Sequence, residues 1–205
     1  MSAAARRANT WIGLLFAVGS ICFVLGPFPG FVQRVGSSAD GITFFVGSVF
    51  FTSASFLQLA TTRLTGGGAL DRWAAAIQFA GTLFFNLSTF EAMQDALDTS
   101  ATDRLVWAPD AFGSVCFLVS SALAYRSVNG SFGRRRHRGG AMRIAVVNLI
   151  GSVAFGISAV ASFVVPATGD VLDLAAANFM TAIGAAGFLA GAILLMPAVS
   201  SRRPS

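Results

Sequence analysis

The chain has no lysine; all 14 of its basic residues are arginine. That removes Schiff-base chemistry and the lysine of a Walker A loop from consideration. A single histidine, His137, and two cysteines, Cys22 and Cys116, leave little for a metal site, and neither cysteine belongs to a CxxC motif. Charge of either sign is scarce: charged residues make up 11% of the chain, where soluble domains carry about 25%. Apolar residues fill the gap, at 55% of the chain with a mean hydropathy of +0.71. This is the composition of an integral membrane protein. It shows no nucleophile, metal set or cofactor motif, so no enzymatic activity and no cofactor are expected.

Continuous apolar runs predict helices rather than the alternating strands of a barrel. Six spans are expected, at Trp11 to Val32, Ile42 to Thr61, Trp73 to Met93, Ala108 to Tyr125, Met142 to Val165 and Leu172 to Val199. Each is close to the roughly 20 residues that cross a bilayer, the fourth being short and the last long enough to tilt. Two prolines in Gly26-Pro27-Phe28-Pro29-Gly30 should end or kink the first helix. Arg6 and Arg7 precede an apolar run without a small-residue cleavage site, so the segment reads as retained rather than as a signal peptide. The arginines fix the orientation. One face receives 12 of them and Asp71 alone among the acids, while the other receives eight acids and only Arg34 and Arg104. By the positive-inside rule both termini are cytoplasmic, with Trp11 and Trp73 at the inner interface and Trp107 at the outer one.

A short core recurs in every span: Gly47-Ser48-Val49-Phe50-Phe51, Gly19-Ser20-Ile21-Cys22-Phe23, Gly81-Thr82-Leu83-Phe84-Phe85, Gly113-Ser114-Val115-Cys116-Phe117, Gly151-Ser152-Val153-Ala154-Phe155 and the degenerate Gly184-Ala185-Ala186-Gly187-Phe188. A small pair followed by an aromatic lets two helix backbones approach while the ring fills the adjoining space. Gly19, Gly47, Gly81, Gly113, Gly151 and Gly184 are therefore the expected packing positions. The fold class is all-α, a single bundle over residues 1–205 built as three successive hairpins, 9–62, 71–126 and 141–199, with a basic loop at 127–140. The first and last hairpins read as duplicates, and the middle one keeps both cores with a longer, more acidic connection. Cys22 and Cys116 fall at the same place in two copies and read as small buried hydrophobes.

WIGLLFAVGSICFVLG and FFVGSVFFTSASFLQ of the first hairpin resemble the YrhK-like domain family, small bacterial membrane modules of two spans. The resemblance covers roughly Asn9 to Ala60, about a quarter of the chain. It implies a compact helical hairpin in a bacterial membrane, and the family brings no established activity or catalytic residues. WAAAIQFAGTLFFNLSTFEA followed by VWAPDAFGSVCFLVSSALAY looks like longer actinobacterial relatives of the same group, which also lack an assigned chemistry.

Polar residues within the spans are the candidates for a site, because an unpaired amide or carboxyl in hydrocarbon costs several kcal/mol. They are Gln58, Gln78, Asn86, Glu91, Asp110, Asn148 and Asn178. Gln78 and Glu91 lie about 220° apart around a helix, and Asn86 and Glu91 about 140°, so no polar track runs down the third span. A functional reading makes Asn86, Asn148 and Asn178 a hydrated pathway with Glu91, Asp95 and Asp110 at an acidic outer mouth. Glu91, Asp95 and Asp98 share one helical strip, and Pro109 with Asp110 reads as a helix start. The preferred reading makes the asparagines interhelical hydrogen-bond partners worth about 0.6 kcal/mol each. The cluster Arg134, Arg135, Arg136 and Arg138 sets topology and contacts anionic lipid head groups; without interleaved aromatics it does not suggest nucleic acid.

The sequence thus reads as a non-enzymatic, multi-pass protein of the bacterial cytoplasmic (inner) membrane, whose Gly and Phe surfaces also suit self-association into a homo-oligomer. The alternative is a small cation or proton channel or transporter, favoured by a continuous polar cavity and disfavoured by a dry, phenylalanine-filled centre. A lipid or quinone enzyme would need a lateral groove lined by polar residues. The orientation is open to direct test in a chain whose Cys22 and Cys116 are replaced by alanine. An impermeant maleimide added to intact cells should label a cysteine placed at Thr168 and spare one at Gly66; the reverse pattern inverts the topology.

Overall fold

In hydrocarbon every backbone N–H and C=O must be bonded within its own segment, so long apolar runs without breakers become helices. The computed structural model describes residues 2–94, 99–130 and 138–196. They are helical apart from turns and one isolated bridge, Val164 with Val171. Helix α1 (Ala3–Leu25) is capped by Ser2, whose Oγ accepts from the Ala5 N–H at 3.2 Å. It stops before Gly26-Pro27, and Pro29 opens a separate short helix, α2 (Pro29–Val35). The expected span Trp11 to Val32 is therefore two helices, as the paired prolines dictate. Next come α3 (Ser37–Leu64) and α4 (Ala69–Glu91), joined through Gly66, whose φ of 68° is left-handed.

The following segment corrects the sequence reading. Pro109 does not begin a new helix: α5 (Thr99–Thr102) runs through a π-helical turn at Asp103–Trp107 directly into α6 (Ala108–Gly130). A proline inside a helix cannot bond the preceding turn and crowds its carbonyl, and the widened turn just before it takes up that misfit. Helices α7 (Arg138–Ala161) and α8 (Leu174–Leu195) complete the chain, α8 capped by Asp173, which accepts from the Ala176 N–H at 2.9 Å.

Among the described residues five segments are long and apolar enough to cross a membrane: α1, α3, Ser100–Gly130, Gly139–Ala161 and α8. Helix α4 falls short because Gln78, Thr82, Asn86, Ser88 and Thr89 dilute its apolar run. The six long helices pack in a closed order, α1 on α3, α3 on α4, α4 on α6, α6 on α7, α7 on α8, and α8 back on α1. The ring is apolar on its outer face as well as in its core. Among the described residues the fully buried polar side chains are serine and threonine, while Ile21, Val49, Phe56, Phe112, Val115 and Ile157 face outward.

Within each hairpin the expected glycines meet. A Cβ on Gly19 would come 2.9 Å from the Gly47 carbonyl oxygen, one on Gly113 3.1 Å from that of Gly81, and one on Gly151 2.8 Å from that of Gly184. Cys22 and Cys116 are free thiols whose Cβ atoms pack over Gly47 and Gly81, so they act as small apolar groups. Four residues after each contact glycine stands a phenylalanine, and Phe23, Phe51, Phe85, Phe117, Phe155 and Phe188 are all buried. They converge on the ring axis: Phe85 and Phe117 have centroids 5.1 Å apart, Phe117 and Phe188 5.2 Å, Phe23 and Phe51 5.6 Å, and Phe155 and Phe188 5.7 Å. Such pairs contribute about 0.5–1.5 kcal/mol each beyond area burial.

Two glycines of α7 make a matched test. Gly151→Ala should lower stability against unfolding in detergent by about 1–3 kcal/mol, because its Cβ would come 2.8 Å from the Gly184 carbonyl oxygen and 3.1 Å from the Phe188 ring. Gly156→Ala, with nothing within 4 Å of its Cβ, should leave stability unchanged or raise it by up to about 1 kcal/mol.

Candidate functional site

The phenylalanine cluster is a plug. Among Phe23, Ser48, Phe51, Phe85, Phe117 and Phe155 only about 10 Å³ is free, no more than the ~10–15 Å³ that one water requires. The hydroxyl of Ser48 is already engaged, donating to the Phe45 carbonyl at 2.8 Å and lying 3.0 Å from Thr89 Oγ1. The centre of the ring is dry.

A cavity lies on each side of the plug. At the end that carries Arg6, Arg7, Arg63, Arg72 and Arg126, the basic end, about 340 Å³ is bounded by the amides of Asn9, Gln58, Gln78 and Asn148 and the hydroxyls of Thr61 and Thr62. At the opposite, acidic end, about 280 Å³ is bounded by Asp110, Asn178, Ser88, Thr89, Ser158 and Thr181, over a floor of Phe23, Phe85 and Phe155. Helix register explains which residues reach each cavity. Three residues before Gly19, Gly81 and Gly151 stand Phe16, Gln78 and Asn148, which all line the basic-end cavity. Three residues before Gly47, Gly113 and Gly184 stand Phe44, Asp110 and Thr181, which all line the acidic-end cavity.

The three asparagines are not brought together, which corrects the continuous pathway. Asn86 lies in the contact between α3 and α4, where its Nδ2 donates to Thr52 Oγ1 at 2.9 Å and its buried Oδ1 has no partner. Asn148 lines the basic-end cavity, its amide set against Gly191, where any Cβ would collide with it. Asn178 lines the acidic-end cavity, beyond the plug. The acidic mouth also contracts. Glu91 is the last residue of α4 and does not line the cavity; Asp95 and Asp98 lie outside the described residues. Asp110 is half-buried, and its carboxylate has neither a hydrogen bond nor an ion pair with any described residue.

Trp107, expected as an interface anchor, also ties the π turn before α6 to α7: its Nε1 donates to the Ala159 carbonyl at 2.7 Å and its ring stands edge-on to Phe163 at 4.9 Å. Serines that the sequence reading used only as small residues carry most of the interhelical bonding. Ser121 and Ser152 hydroxyls are 2.8 Å apart, those of Ser158 and Thr181 2.7 Å, and Ser120 donates to the Ala74 carbonyl at 2.8 Å. Of these only Ser152 directly follows a contact glycine, while Ser120 and Ser158 stand seven residues after Gly113 and Gly151, two turns along the same helix face.

A lateral depression between α6 and α7, about 120 Å³ bounded mainly by Ala111, Val115, Leu118, Ala159 and Val160, is too small and apolar for lipid chemistry. Among the described residues no three His, Cys, Asp or Glu side chains group to hold a metal ion. Arg134, Arg135, Arg136 and His137 lie outside the described residues, and Arg138 opens α7. Comparison with protein-family models, curated proteins and solved structures finds no match.

Asn86→Leu removes one interhelical bond and one orphaned oxygen together. Unfolding in detergent should place it within about 1 kcal/mol of the parent, the worth of a single such bond in a membrane bundle; a loss of several kcal/mol would give Asn86 a larger role than this geometry allows.

Proposed function

We propose that the chain is a six-span, non-enzymatic bundle of the bacterial cytoplasmic membrane, closed to through-passage, with both termini inside and a ligand-sized cavity open at each end. The observation that carries it is the plug: five of the six buried rings, with Ser48, leave about 10 Å³ between them, with cavities of about 340 and 280 Å³ on either side. Apolar constrictions of this kind stop ions by excluding water. Counting α4 as the sixth span rests on its outward face, where Leu83, Leu87 and Phe90 are as exposed as the outward residues of its neighbours. Its polar side chains sit on the inner face. The orientation rests on the arginine distribution.

Three duplicated hairpins are supported by the same glycine, the same phenylalanine four residues on and the same cavity position three residues before it, in every pair. A YrhK-like origin for the first hairpin agrees with that arrangement. Anionic lipid head groups are the natural neighbours of Arg134, Arg135, Arg136 and Arg138. The packing glycines are occupied within the hairpins, so a homo-oligomer would use other faces.

Two cavities facing each other across one plug favour a second reading, a gated carrier whose rings move aside. Liposome flux separates the two. The closed bundle predicts no proton or cation flux above empty liposomes for the parent, Glu91→Gln or Asn86→Leu, and flux only when the plug is opened by Phe51→Ala with Phe117→Ala. Protein-dependent flux in the parent that disappears in Asp110→Asn would replace the closed bundle by the carrier.

A further inference from the structure

We propose that the acidic-end cavity binds a monovalent organic cation with an apolar body, its charge held by Asp110. The inference rests on the membrane-bundle reading and names the ligand class for one of its cavities. Asp110 is the one charged residue that lines this cavity among the described residues, and no described group pairs with it. Lone carboxylates in water-poor surroundings are costly and are ordinarily matched by a counter-charge. Nothing in the wall supplies one.

Packing does not explain the acid. Phe44 and Thr181 occupy the same register position in the other two hairpins, so the fold accepts an aromatic or a hydroxyl there. The facing positions, seven residues after Gly19, Gly81 and Gly151, are Gly26, Ser88 and Ser158. In the third hairpin Ser158 and Thr181 satisfy each other at 2.7 Å, and in the first Phe44 covers Gly26. In the middle hairpin Ser88 and Asp110 both line the cavity and make no hydrogen bond with each other.

The remaining wall selects the ligand. Phe23, Phe44, Phe85, Phe155 and Trp107 offer ring surface, which attracts a cation and buries its apolar body. Trp107 is held in place by its bond to Ala159, so this surface is fixed before anything binds. An inorganic cation is a poorer fit, because it asks for a shell of about six converging oxygens, and here one carboxylate stands among hydroxyls of which Thr89, Ser158 and Thr181 are already engaged. At about 280 Å³ the space is just below the roughly 300 Å³ at which small-molecule pockets begin, enough for a substituted ammonium.

The test is equilibrium dialysis of phenyltrimethylammonium against the full chain in phosphatidylcholine nanodiscs. The expected result is saturable binding to one site, at least tenfold weaker for Asp110→Asn and for Asp110→Thr, with tetramethylammonium at least tenfold weaker than the phenyl compound. Both variants should retain the parent's helical spectrum, since the fold already takes threonine at this position in another hairpin. No saturable binding to the folded parent, equal binding by Asp110→Asn, or displacement by stoichiometric sodium or potassium would overturn the proposal. None of these outcomes bears on the closed plug, which the flux measurement reads separately.

Discussion

One contact sets the rest of the molecule: the approach of two helix backbones at a pair of glycines in each hairpin. With Gly19 against Gly47, Gly81 against Gly113 and Gly151 against Gly184, the helices pass so closely that even a methyl group would strike a carbonyl or a neighbouring side chain. In lipid there is no water to drive apolar helices together, so this close packing has to supply the association. It also places the phenylalanine one turn further along each helix on the ring axis. Six such residues arriving at one level fill the centre that a ring of six helices would otherwise leave open.

The division of labour among the other side chains follows from that plug. On either side of it space remains, and the residues three before each glycine line it. Four amides cluster at one end, and a single carboxylate with hydroxyls and the Asn178 amide at the other. Between neighbouring hairpins the bonds are short hydroxyl contacts, Ser48 with Thr89 and Ser121 with Ser152, which satisfy polar groups without separating the helices. Asn86 bonds to Thr52 by the same logic, and so serves the α3–α4 contact rather than a pathway.

Much of this was legible in the residues themselves. The GSxxF core, its recurrence and the exclusion of soluble folds follow from pattern and composition, and the packing role of the six glycines follows from the absence of a side chain where an aromatic must pass. Ring closure was not legible, since spacing along the chain says nothing about which hairpin meets which. The run through Pro109 was misread as a helix start, because a proline beside an acid suits a first turn equally well, and a π turn leaves no signature in composition. The asparagines were grouped by residue type, whereas their positions relative to the contact glycines decide where they point: Asn148 shares the position of Gln78, while Asn86 does not.

Closure of the ring by α1 against α8 is the claim on which the axial plug and both cavities depend, and a cross-link tests it most directly. A Cβ at position 13 would lie 2.6 Å from Met196 Cγ, close to where a cysteine sulfur at 196 would sit. With Cys22 and Cys116 replaced by alanine, Gly13→Cys combined with Met196→Cys should oxidise in the membrane to a monomeric, intramolecular disulfide, detected by its faster migration and its reversal on reduction. Failure of this pair to cross-link in folded protein, or cross-linking only between chains, would contradict the closed ring and the plug built on it.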